Sequence, residues 1–356
     1  MIYHNLNIKL YKTFILFTFL YFFIKFVHIL KFRPIPNTNN KNIQMNNISN
    51  SGRIFLCTLY NNEAEQAYIL IWRLYEFIDK FILVTSNITH SNQPKNFTFK
   101  SFEKNIQQYM DKIDIVNFNN VCNKIEYPQS DKNWCIESSQ RDYAKTYIDE
   151  NYNPTNKDLL IVADLDEILT REGIQYIKKH PPKNFYFIKG AMYFPYYYHR
   201  LENWDRVFVI RYNKTMKSFT KLRWQNVLEN ITLKYKYNPS KPLMTHCSYC
   251  FKDIEEYKNK LKSFAHQEFN KPPYITNNWI FKSHYCREKI NSPRGNDETY
   301  EGWQDLIPND ERLKYLIDRS YKYNLNETNF TISELETLCN KTYNRTPFES
   351  SAIYKP

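Results

Sequence analysis

The sequence predicts an α/β fold with a mostly parallel central sheet, preceded by an N-terminal membrane anchor. Two observations predict the sheet. From residue 53 onward, short apolar segments alternate with segments whose apolar residues recur at helical spacing, which is the pattern of βαβ units. The 356-residue chain is also 42% hydrophobic and 17% aromatic, which is enough apolar material for a packed core and too much for a disordered chain.

The membrane-anchor candidate lies near the N-terminus. Residues 13–30 read TFILFTFLYFFIKFVHIL, and a helix of that length spans about 27 Å, close to the thickness of a bilayer core. No small-residue cleavage site follows, so we expect an uncleaved signal anchor in preference to a cleaved signal peptide or a buried helix. Residues 1–12 form a short tail before it, and residues 31–52, rich in Asn, Pro and Ser, are predicted to be a stem linker.

The predicted domain covers residues 53–323. Strands are expected where short apolar runs occur, and helices where apolar side chains recur every three or four residues. The expected strands are 53–60, 80–86, 113–118, 158–163, 185–190, 192–198 and 207–212. The expected helices are 63–78, 137–149, 170–180 and 253–263. Residues 324–356 are polar and are predicted to form a poorly packed C-terminal tail.

Composition excludes several classes of function. The formal net charge is +12, but the cations are scattered and form no basic stripe, so no nucleic-acid partner is expected. The five glycines lie too far apart for a G-x-G-x-x-G turn or a P-loop. Any nucleotide must therefore be held by other groups.

Seven cysteines and nine N-x-[ST] sequons, a mild excess over chance, favour an oxidising lumenal compartment. In the segment HCSYC, Cys247 and Cys250 are expected to take part in disulfide bonds. The alternatives are a redox pair, or half of a zinc site completed by His284 and Cys286. An odd number of cysteines leaves at least one unpaired, and Cys57, inside an apolar run, is the expected one.

The most informative segment is Asp164-Leu165-Asp166-Glu167, directly after the expected strand DLLIVA. Ligand sites of open α/β sheets lie at the carboxyl ends of strands, and residues i and i+2 of an extended backbone point the same way. Asp164 and Asp166 are therefore expected to converge, and their oxygens suit Mg²⁺ or Mn²⁺. Such a cation could bridge to a diphosphate. The alternative is that these acids cap the helix expected to follow.

Other segments carry weaker candidates. His246 could be a third ligand beside a carboxylate–metal site, and His266 with Glu268 could form an acid–base pair. Glu63 follows the first expected strand, and Arg141 lies on an expected helix. Taken alone, each of these patterns is more typical of helix capping, a salt bridge or a solvated helix end.

Together these segments resemble glycosyltransferase family 17, the family of β-1,4-mannosyl-glycoprotein β-1,4-N-acetylglucosaminyltransferases, which add the bisecting GlcNAc to N-glycans. The resemblance covers roughly residues 53–320, in the family's order. The matching segments are LYNNEAEQAYILIWRLYEFIDKFILVTSNITHSNQPKNFTF, QRDYA, IVADLDEI, MTHCSYCF and KLKSFAHQEFN. Leu169 and Tyr249 depart from the family, which usually has proline and tryptophan at these positions.

The resemblance implies a GT-A-like nucleotide-sugar transferase domain in a type II, single-pass Golgi membrane protein with its catalytic domain in the lumen. It also implies UDP-GlcNAc as donor, Mn²⁺ or Mg²⁺ as cofactor, an N-glycan or glycoprotein acceptor, and inversion at the anomeric carbon. The alternatives are a GT-A transferase with another UDP-sugar or acceptor, and a non-catalytic glycan-binding protein whose aromatic residues around 193–198 stack on sugars.

The resemblance also implies roles for particular residues. The implied metal residues are Asp164, Asp166 and His246, and the implied donor-binding residues are Glu63, Arg141 and Asp164. Direct displacement needs a base near the acceptor hydroxyl, for which Glu268 and Glu167 are the candidates. Glu268 is preferred, because Glu167 is expected to lie behind the metal ligands.

Overall fold

The structure is a computed structural model that describes the chain from residue 52 onward, with gaps. The described residues are 52–119, 121–127, 132–194, 200–229, 241–286, 306–317, 330–331, 333–335 and 337. None of the helices in these ranges has the length and hydropathy of a membrane span. The predicted anchor at 13–30, and nearly all of the predicted stem, lie outside the described residues.

Ten strands are found in the described residues. They are β1 (Ile54–Leu59), β2 (Lys80–Thr85), β3 (Ile113–Asn117), β4 (Leu159–Val162), β5 (Glu167–Leu169), β6 (Phe185–Phe187), β7 (Gly190–Tyr193), β8 (Arg200–Trp204), β9 (Phe208–Arg211) and β10 (Met244–Cys247). Six of the seven expected strands lie within three residues of their predicted ends. The seventh, expected at 192–198, corresponds to β7, which begins at Gly190 and ends at Tyr193; residues 195–198 lie outside the described residues. Strands β5, β8 and β10 were not expected.

Seven α-helices accompany these strands in the described ranges. They are α1 (Ala64–Leu74), α2 (Glu103–Gln107), α3 (Lys132–Tyr152), α4 (Arg171–Lys179), α5 (Phe219–Glu229), α6 (Ile254–Ser263) and α7 (Asn277–Cys286). The four expected helices correspond to α1, α3, α4 and α6, of which α3 begins five residues earlier than predicted. Helices α2, α5 and α7 were not expected.

The strands form two sheets. The larger has the order β3-β2-β1-β4-β9-β6, and the smaller has the order β5-β10-β7-β8. Strands β3, β2, β1 and β4 pair in parallel, whereas β9 pairs antiparallel with β4 and β6 antiparallel with β9. The fold is therefore mixed α/β, as predicted, with a parallel centre and an antiparallel edge. The carboxyl ends of β1, β2 and β4 lie at one edge of the larger sheet.

Helices cover both faces of the larger sheet because both faces of its central strands are apolar. Leu56, Leu83 and Ile161 point to one face, where they join a buried cluster with residues of α1 and α4. Their neighbours along each strand point to the other face and pack against α3 and the start of α5. This alternation makes three layers, and it fixes which helices can reach the carboxyl edge.

The acidic segment is followed by strand β5 and not by a helix. Helix α4 begins later, and its N-cap is Thr170, whose hydroxyl accepts a hydrogen bond from Gly173 N at 3.1 Å. A Cβ at Gly173 would lie 2.0 Å from the carbonyl oxygen of Leu243, so only glycine lets α4 pack this closely on the residue before β10. Asp164 and Asp166 therefore do not cap α4, and that alternative is wrong.

The cysteines behave as the sequence predicts. The structure contains the disulfides Cys122–Cys135 and Cys247–Cys250, and Cys57 is free and buried. Burial raises the pKa of the Cys57 thiol. Because the sulfurs of Cys247 and Cys250 are bonded to each other, neither can serve as a thiolate ligand of zinc.

The C-terminal stretch predicted to be a poorly packed tail contributes at least one core residue. Leu335 is fully buried in an apolar cluster with residues of α6 and α7, and Phe330 packs against the same cluster. The described part of this stretch is therefore attached to the domain through apolar contacts.

Asp158, directly before β4, should make the stability of the fold depend on pH. It accepts hydrogen bonds from Arg53 Nη2 at 2.9 Å, Arg53 N at 2.7 Å and Thr155 N at 2.8 Å. Burial opposes the charged carboxylate, but the bonds from Arg53 and Thr155 outweigh it and lower the pKa. We expect Asp158→Asn to reduce the free energy of unfolding by about 2 kcal/mol at neutral pH.

The difference in the free energy of unfolding between the unaltered protein and Asp158→Asn should become smaller as the pH is lowered. A carboxyl whose pKa is lower in the folded state stabilises the fold above its unfolded pKa, about 3.9, and loses that effect as the pH falls through its folded pKa. Urea unfolding of both proteins from about pH 7 to about pH 2 measures the change in this difference. A deficit that grows on acidification would contradict this role of Asp158.

Candidate active site

The candidate site lies at the carboxyl edge of the parallel strands. β1 is followed by Asn61-Asn62-Glu63, β2 by the loop 86–99, and β4 by the acidic segment at 164–167. Strand β10 and helix α6 complete the site by contributing His246 and Lys260, both of which contact Asp166. This edge is where open α/β sheets bind their ligands.

The backbone from Asp164 to Glu167 is a tight turn and is not extended. Glu167 N donates to Asp164 O at 3.0 Å, and Asp164 N donates to Glu167 Oε2 at 2.8 Å. The expectation that alternation aims Asp164 and Asp166 at one point is therefore wrong in its geometry. The two side chains lie in the same site, but they contact different cations.

Two arginines hold the side chain of Asp164. Arg141, from the middle of α3, donates to Oδ1 at 3.0 Å, and Arg223, from α5, donates to Oδ2 at 2.7 Å. Arg141 also pairs with Glu137, one helical turn earlier, at 2.8 Å. The Asp164 side chain is 33% exposed, whereas those of the two arginines are 6% and 8% exposed. A ligand can therefore reach this carboxylate, and the arginines fix its position.

Glu167 lies behind Asp164 and has no exposed side-chain surface. Its oxygens accept from both terminal nitrogens of Arg223 at 2.7 and 2.9 Å, and from Trp204 Nε1 at 2.6 Å. With the bond from Asp164 N, both oxygens are occupied. Glu167 therefore positions Arg223 and the turn. Because it is buried and fully hydrogen-bonded, it is not suited to act as a base that must reach the acceptor hydroxyl.

Asp166 belongs to a second network. Its Oδ2 lies 2.8 Å from Lys260 Nζ, and its Oδ1 lies 3.4 Å from His246 Nε2. Lys260 Nζ also lies 3.1 Å from Glu63 Oε1, so one ammonium joins the end of β1 to the turn after β4. The His246 ring packs against Trp204, with 4.3 Å between the ring centroids.

These contacts keep the buried charges in their ionised forms. Burial alone would raise the pKa of Asp164 and Asp166, but Arg223 and Arg141 lower the first, and Lys260 and His246 bring the second well below its usual range. Burial would likewise lower the pKa of Lys260, but Asp166 and Glu63 raise it well above its usual value. Asp164, Asp166 and Lys260 are therefore charged at neutral pH.

One further cation lies beside the site, on the loop after β2. Lys95 Nζ donates to Tyr60 O at 3.0 Å and to Asn61 Oδ1 at 2.9 Å, which ties this loop to the end of β1. Burial is the main cause that lowers the pKa of Lys95 to about 8, although Glu63 opposes the shift. Lys95 therefore holds the backbone that presents Glu63.

Glu268 lies outside both networks. It is on a short 3₁₀ helix, Gln267–Phe269, its side chain is 49% exposed, and its Oε1 lies 2.5 Å from His266 Nδ1. The His266 ring in turn packs edge-on against Trp134 of α3, with centroids 4.5 Å apart. Glu268 is thus an accessible carboxylate next to an imidazole, with aromatic rings beside it.

The donor set is compatible with a divalent cation. In the two networks, five carboxylates are ion-paired with three cations, which leaves two negative charges. His246 Nδ1 is buried and has no hydrogen-bond partner among the described residues. In those residues, however, no three His, Cys, Asp or Glu side chains form a ready ligand set. Lys260 stands between two of the carboxylates, so a cation at Asp166 has to compete with it.

A separate groove of about 770 Å³ lies near the amino end of β4, where residues 210–222 line much of it. Its lining includes several lysines and one arginine, and none of its lining residues belongs to the two networks. The carboxylates of the candidate site therefore face a different part of the surface.

Comparison with known proteins identifies the family. The sequence profile of glycosyltransferase family 17 matches residues 38–291, which is more than two thirds of the chain. The chain belongs to glycosyltransferase family 17. It is therefore a glycosyltransferase, an enzyme that transfers a sugar from a donor to a glycan acceptor. The search of curated proteins gave no match.

Solved structures add little to this family-17 assignment. The inositol-1-phosphate CTP transferase from T. maritima is similar over 55% of this chain and 85% of its own, at 7% identity and a TM-score of 0.23. A likeness that small supports no conclusion about this glycosyltransferase.

The structure brings together most of the residues that the sequence singled out. Those within the two networks or in contact with them are Glu63, Arg141, Asp164, Asp166, Glu167 and His246. Glu268 is not among them. Sequence reasoning missed Arg223, Lys260 and Trp204. The first lies on a helix that was not expected, and the second interrupts the buried side of α6, next to Leu261 and one turn from Tyr257.

Proposed function

We propose that this family-17 enzyme is an inverting, metal-dependent transferase that moves GlcNAc from UDP-GlcNAc to a mannose of an N-glycan, in a bisecting-type β-1,4 linkage. The observation that carries the proposal is the pair of charge networks around Asp164 and Asp166, at the ligand edge of a parallel α/β sheet. The sugar, the acceptor and the linkage rest on the resemblance to the family. A GT-A-like classification of the fold belongs to the same proposal.

The residues of the chain supply the contacts that such a reaction needs. Arg141 and Arg223 carry guanidinium groups, which suit the oxygens of a diphosphate, and Arg141 Nε has no partner among the described residues. Asp164 and Asp166, with His246 beside them, are the residues proposed to hold a divalent cation. When bound, that cation stabilises the negative charge on the departing UDP.

Glu268 is the proposed base. A base must approach the acceptor hydroxyl to about 3 Å, and Glu268 is accessible, whereas Glu167 is buried and fully hydrogen-bonded. His266 holds one carboxylate oxygen and leaves the other available. The neighbouring Trp134 offers an aromatic surface of the kind that packs against sugar rings.

Glu268→Gln should therefore lower kcat by about 10²–10⁴-fold with little change in the urea midpoint, because the side chain is largely exposed. Glu167→Gln should instead lower the free energy of unfolding by about 3 kcal/mol, since Arg223 loses a buried partner. Steady-state transfer assays and urea titrations of both variants measure the two effects. A Glu268→Gln enzyme with normal kcat would remove Glu268 from the mechanism.

Release of UDP by the purified full-length protein tests the proposed function. A panel of UDP-sugars would be offered with Mn²⁺ and, in parallel, with EDTA. Hydrolysis of UDP-GlcNAc that EDTA abolishes supports the proposed donor and the metal requirement. Turnover of another UDP-sugar would favour a transferase of different specificity, and glycan binding without turnover would favour a non-catalytic protein.

A lumenal, Golgi-type location with a single N-terminal anchor is also proposed. The disulfides Cys122–Cys135 and Cys247–Cys250 support it, because such bonds persist in oxidising compartments. Fractionation of cells, followed by protease protection of the catalytic domain inside sealed vesicles, tests both the membrane attachment and the orientation.

A further inference from the structure

We propose that Lys260 occupies the cation position of the donor-free site and moves to the donor's diphosphate when a divalent cation binds. The inference rests on the proposed function, because it assumes a diphosphate donor and a metal. It assigns to Lys260 two successive partners, first Asp166 with Glu63 and then the phosphate oxygens.

The first partners are visible in the structure. Lys260 Nζ lies 2.8 Å from Asp166 Oδ2 and 3.1 Å from Glu63 Oε1, and the side chain is only 11% exposed. The rings of Tyr249 and Phe251 lie on the ammonium's apolar side, each with its centroid 5.8 Å away. A single positive charge is thus enclosed by two carboxylates that come from different strand ends.

Lys260 and a metal ion compete for the same carboxylate oxygen. Lys260 Nζ lies 2.8 Å from Asp166 Oδ2 and 3.1 Å from Glu63 Oε1, so a dication that binds at this oxygen has to displace the ammonium. A nucleoside diphosphate removes the difficulty, because its own negative charge gives Lys260 a new partner. Metal alone therefore competes with Lys260, whereas metal and diphosphate together do not.

The attachment of Lys260 allows this exchange. Tyr257 and Leu261 are fully buried and hold α6 in place, so the helix is fixed. The ammonium, however, sits at the end of a flexible four-carbon stem and can change partners without movement of the helix. Arg223, in the other network, lacks this freedom, because its guanidinium is held by Asp164 and by the buried Glu167.

The test measures two affinities of the full-length protein and of the variant Lys260→Met. Binding of Mn²⁺ without nucleotide is followed by the EPR signal of the free ion, and binding of UDP at saturating Mn²⁺ is followed by calorimetry. We expect Lys260→Met to bind Mn²⁺ at least about tenfold more tightly and UDP at least about tenfold more weakly. Lys258→Met is the matched control on the same helix. Lys258 pairs with Glu255, so neither affinity should change.

The proposal predicts that Lys260→Met strengthens Mn²⁺ binding and weakens UDP binding, and these opposite changes distinguish it from other roles of Lys260. Weakening of both affinities would mean that Lys260 is only structural, and unchanged Mn²⁺ binding with weaker UDP binding would mean that it never competes with the metal. Either result overturns the inference, as does an absence of Mn²⁺ binding in both proteins. If Lys260→Met is too unstable, Lys260→Gln serves, and added Mn²⁺ should raise its Tm more than that of the unaltered protein.

These outcomes are separable from failure of the proposed function. Mn²⁺ binding is measured without donor or acceptor, so it does not depend on sugar specificity. If the enzyme turns over UDP-GlcNAc but Lys260→Met does not change the affinity for Mn²⁺, the proposed function stands and the inference about Lys260 fails. If the two affinities shift in opposite directions but no UDP-sugar is turned over, the inference stands and the proposed function fails.

Discussion

Replacement of Arg223 by methionine should lower the free energy of unfolding by about 3–5 kcal/mol and abolish transfer. Arg223 is the only cation that the structure pairs with Glu167 in the described residues, and it also holds Asp164 at 2.7 Å. Without it, Glu167 is a buried carboxylate that keeps only the bonds from Trp204 and from Asp164 N. Urea unfolding measures the first effect and UDP release the second.

Lys221→Ala is the control for this prediction, because Lys221 lies on the same helix two residues earlier. It pairs with Glu126 at the surface and is more than half exposed, so its loss should cost less than about 1 kcal/mol. Equal destabilisation by the two substitutions would show that α5 is simply intolerant of change. In that case the charge network around Asp164 would not explain the stability of the site.

Asp166→Asn should lower the rate of transfer by at least about 10²-fold and leave the fold intact. The amide keeps the shape of the side chain and removes the charge that faces Lys260 and His246. The loss should be seen in the proposed assay of UDP release with added Mn²⁺, with the circular dichroism spectrum unchanged.

Asp253→Asn is the matched control. Asp253 is the N-cap of α6 and accepts a bond from Glu256 N at 2.8 Å; asparagine caps helices equally well, so activity should persist. Full activity of the Asp166→Asn enzyme would show that Asp166 takes no part in the reaction.

Local patterns predicted the elements that build the central sheet. The runs IFLCTL, KFILVT and LLIV became β1, β2 and β4, because a strand buried on both faces is apolar at every position. The same reasoning missed β10, since MTHC is short and half polar. It also missed α5 and α7, whose apolar residues show little helical periodicity.

The candidate site was predictable in its acidic part and not in its basic part. Asp164, Asp166 and Glu63 follow strands that could be recognised, and the topology rule then places them at one edge. Arg223 and Lys260 come from helices far along the chain, and their positions depend on tertiary packing. Nothing in the local sequence indicates that the turn at Asp164 would divide the carboxylates between two networks.

The pairing of β5 with β10 makes activity depend on accurate folding. His246 lies opposite Glu167 in that antiparallel ladder, so a slip of one residue would turn the imidazole to the other face of the strand, away from Asp166. Because all four residues of β10 are buried, such a chain would stay compact and yet be inactive. The hydrogen bonds from Thr170 N to Leu243 O at 2.9 Å and from Cys247 N to Asp166 O at 3.1 Å constrain the register at the two ends of β10. Correct pairing of this ladder, and not compactness alone, should therefore decide whether a folded molecule is active.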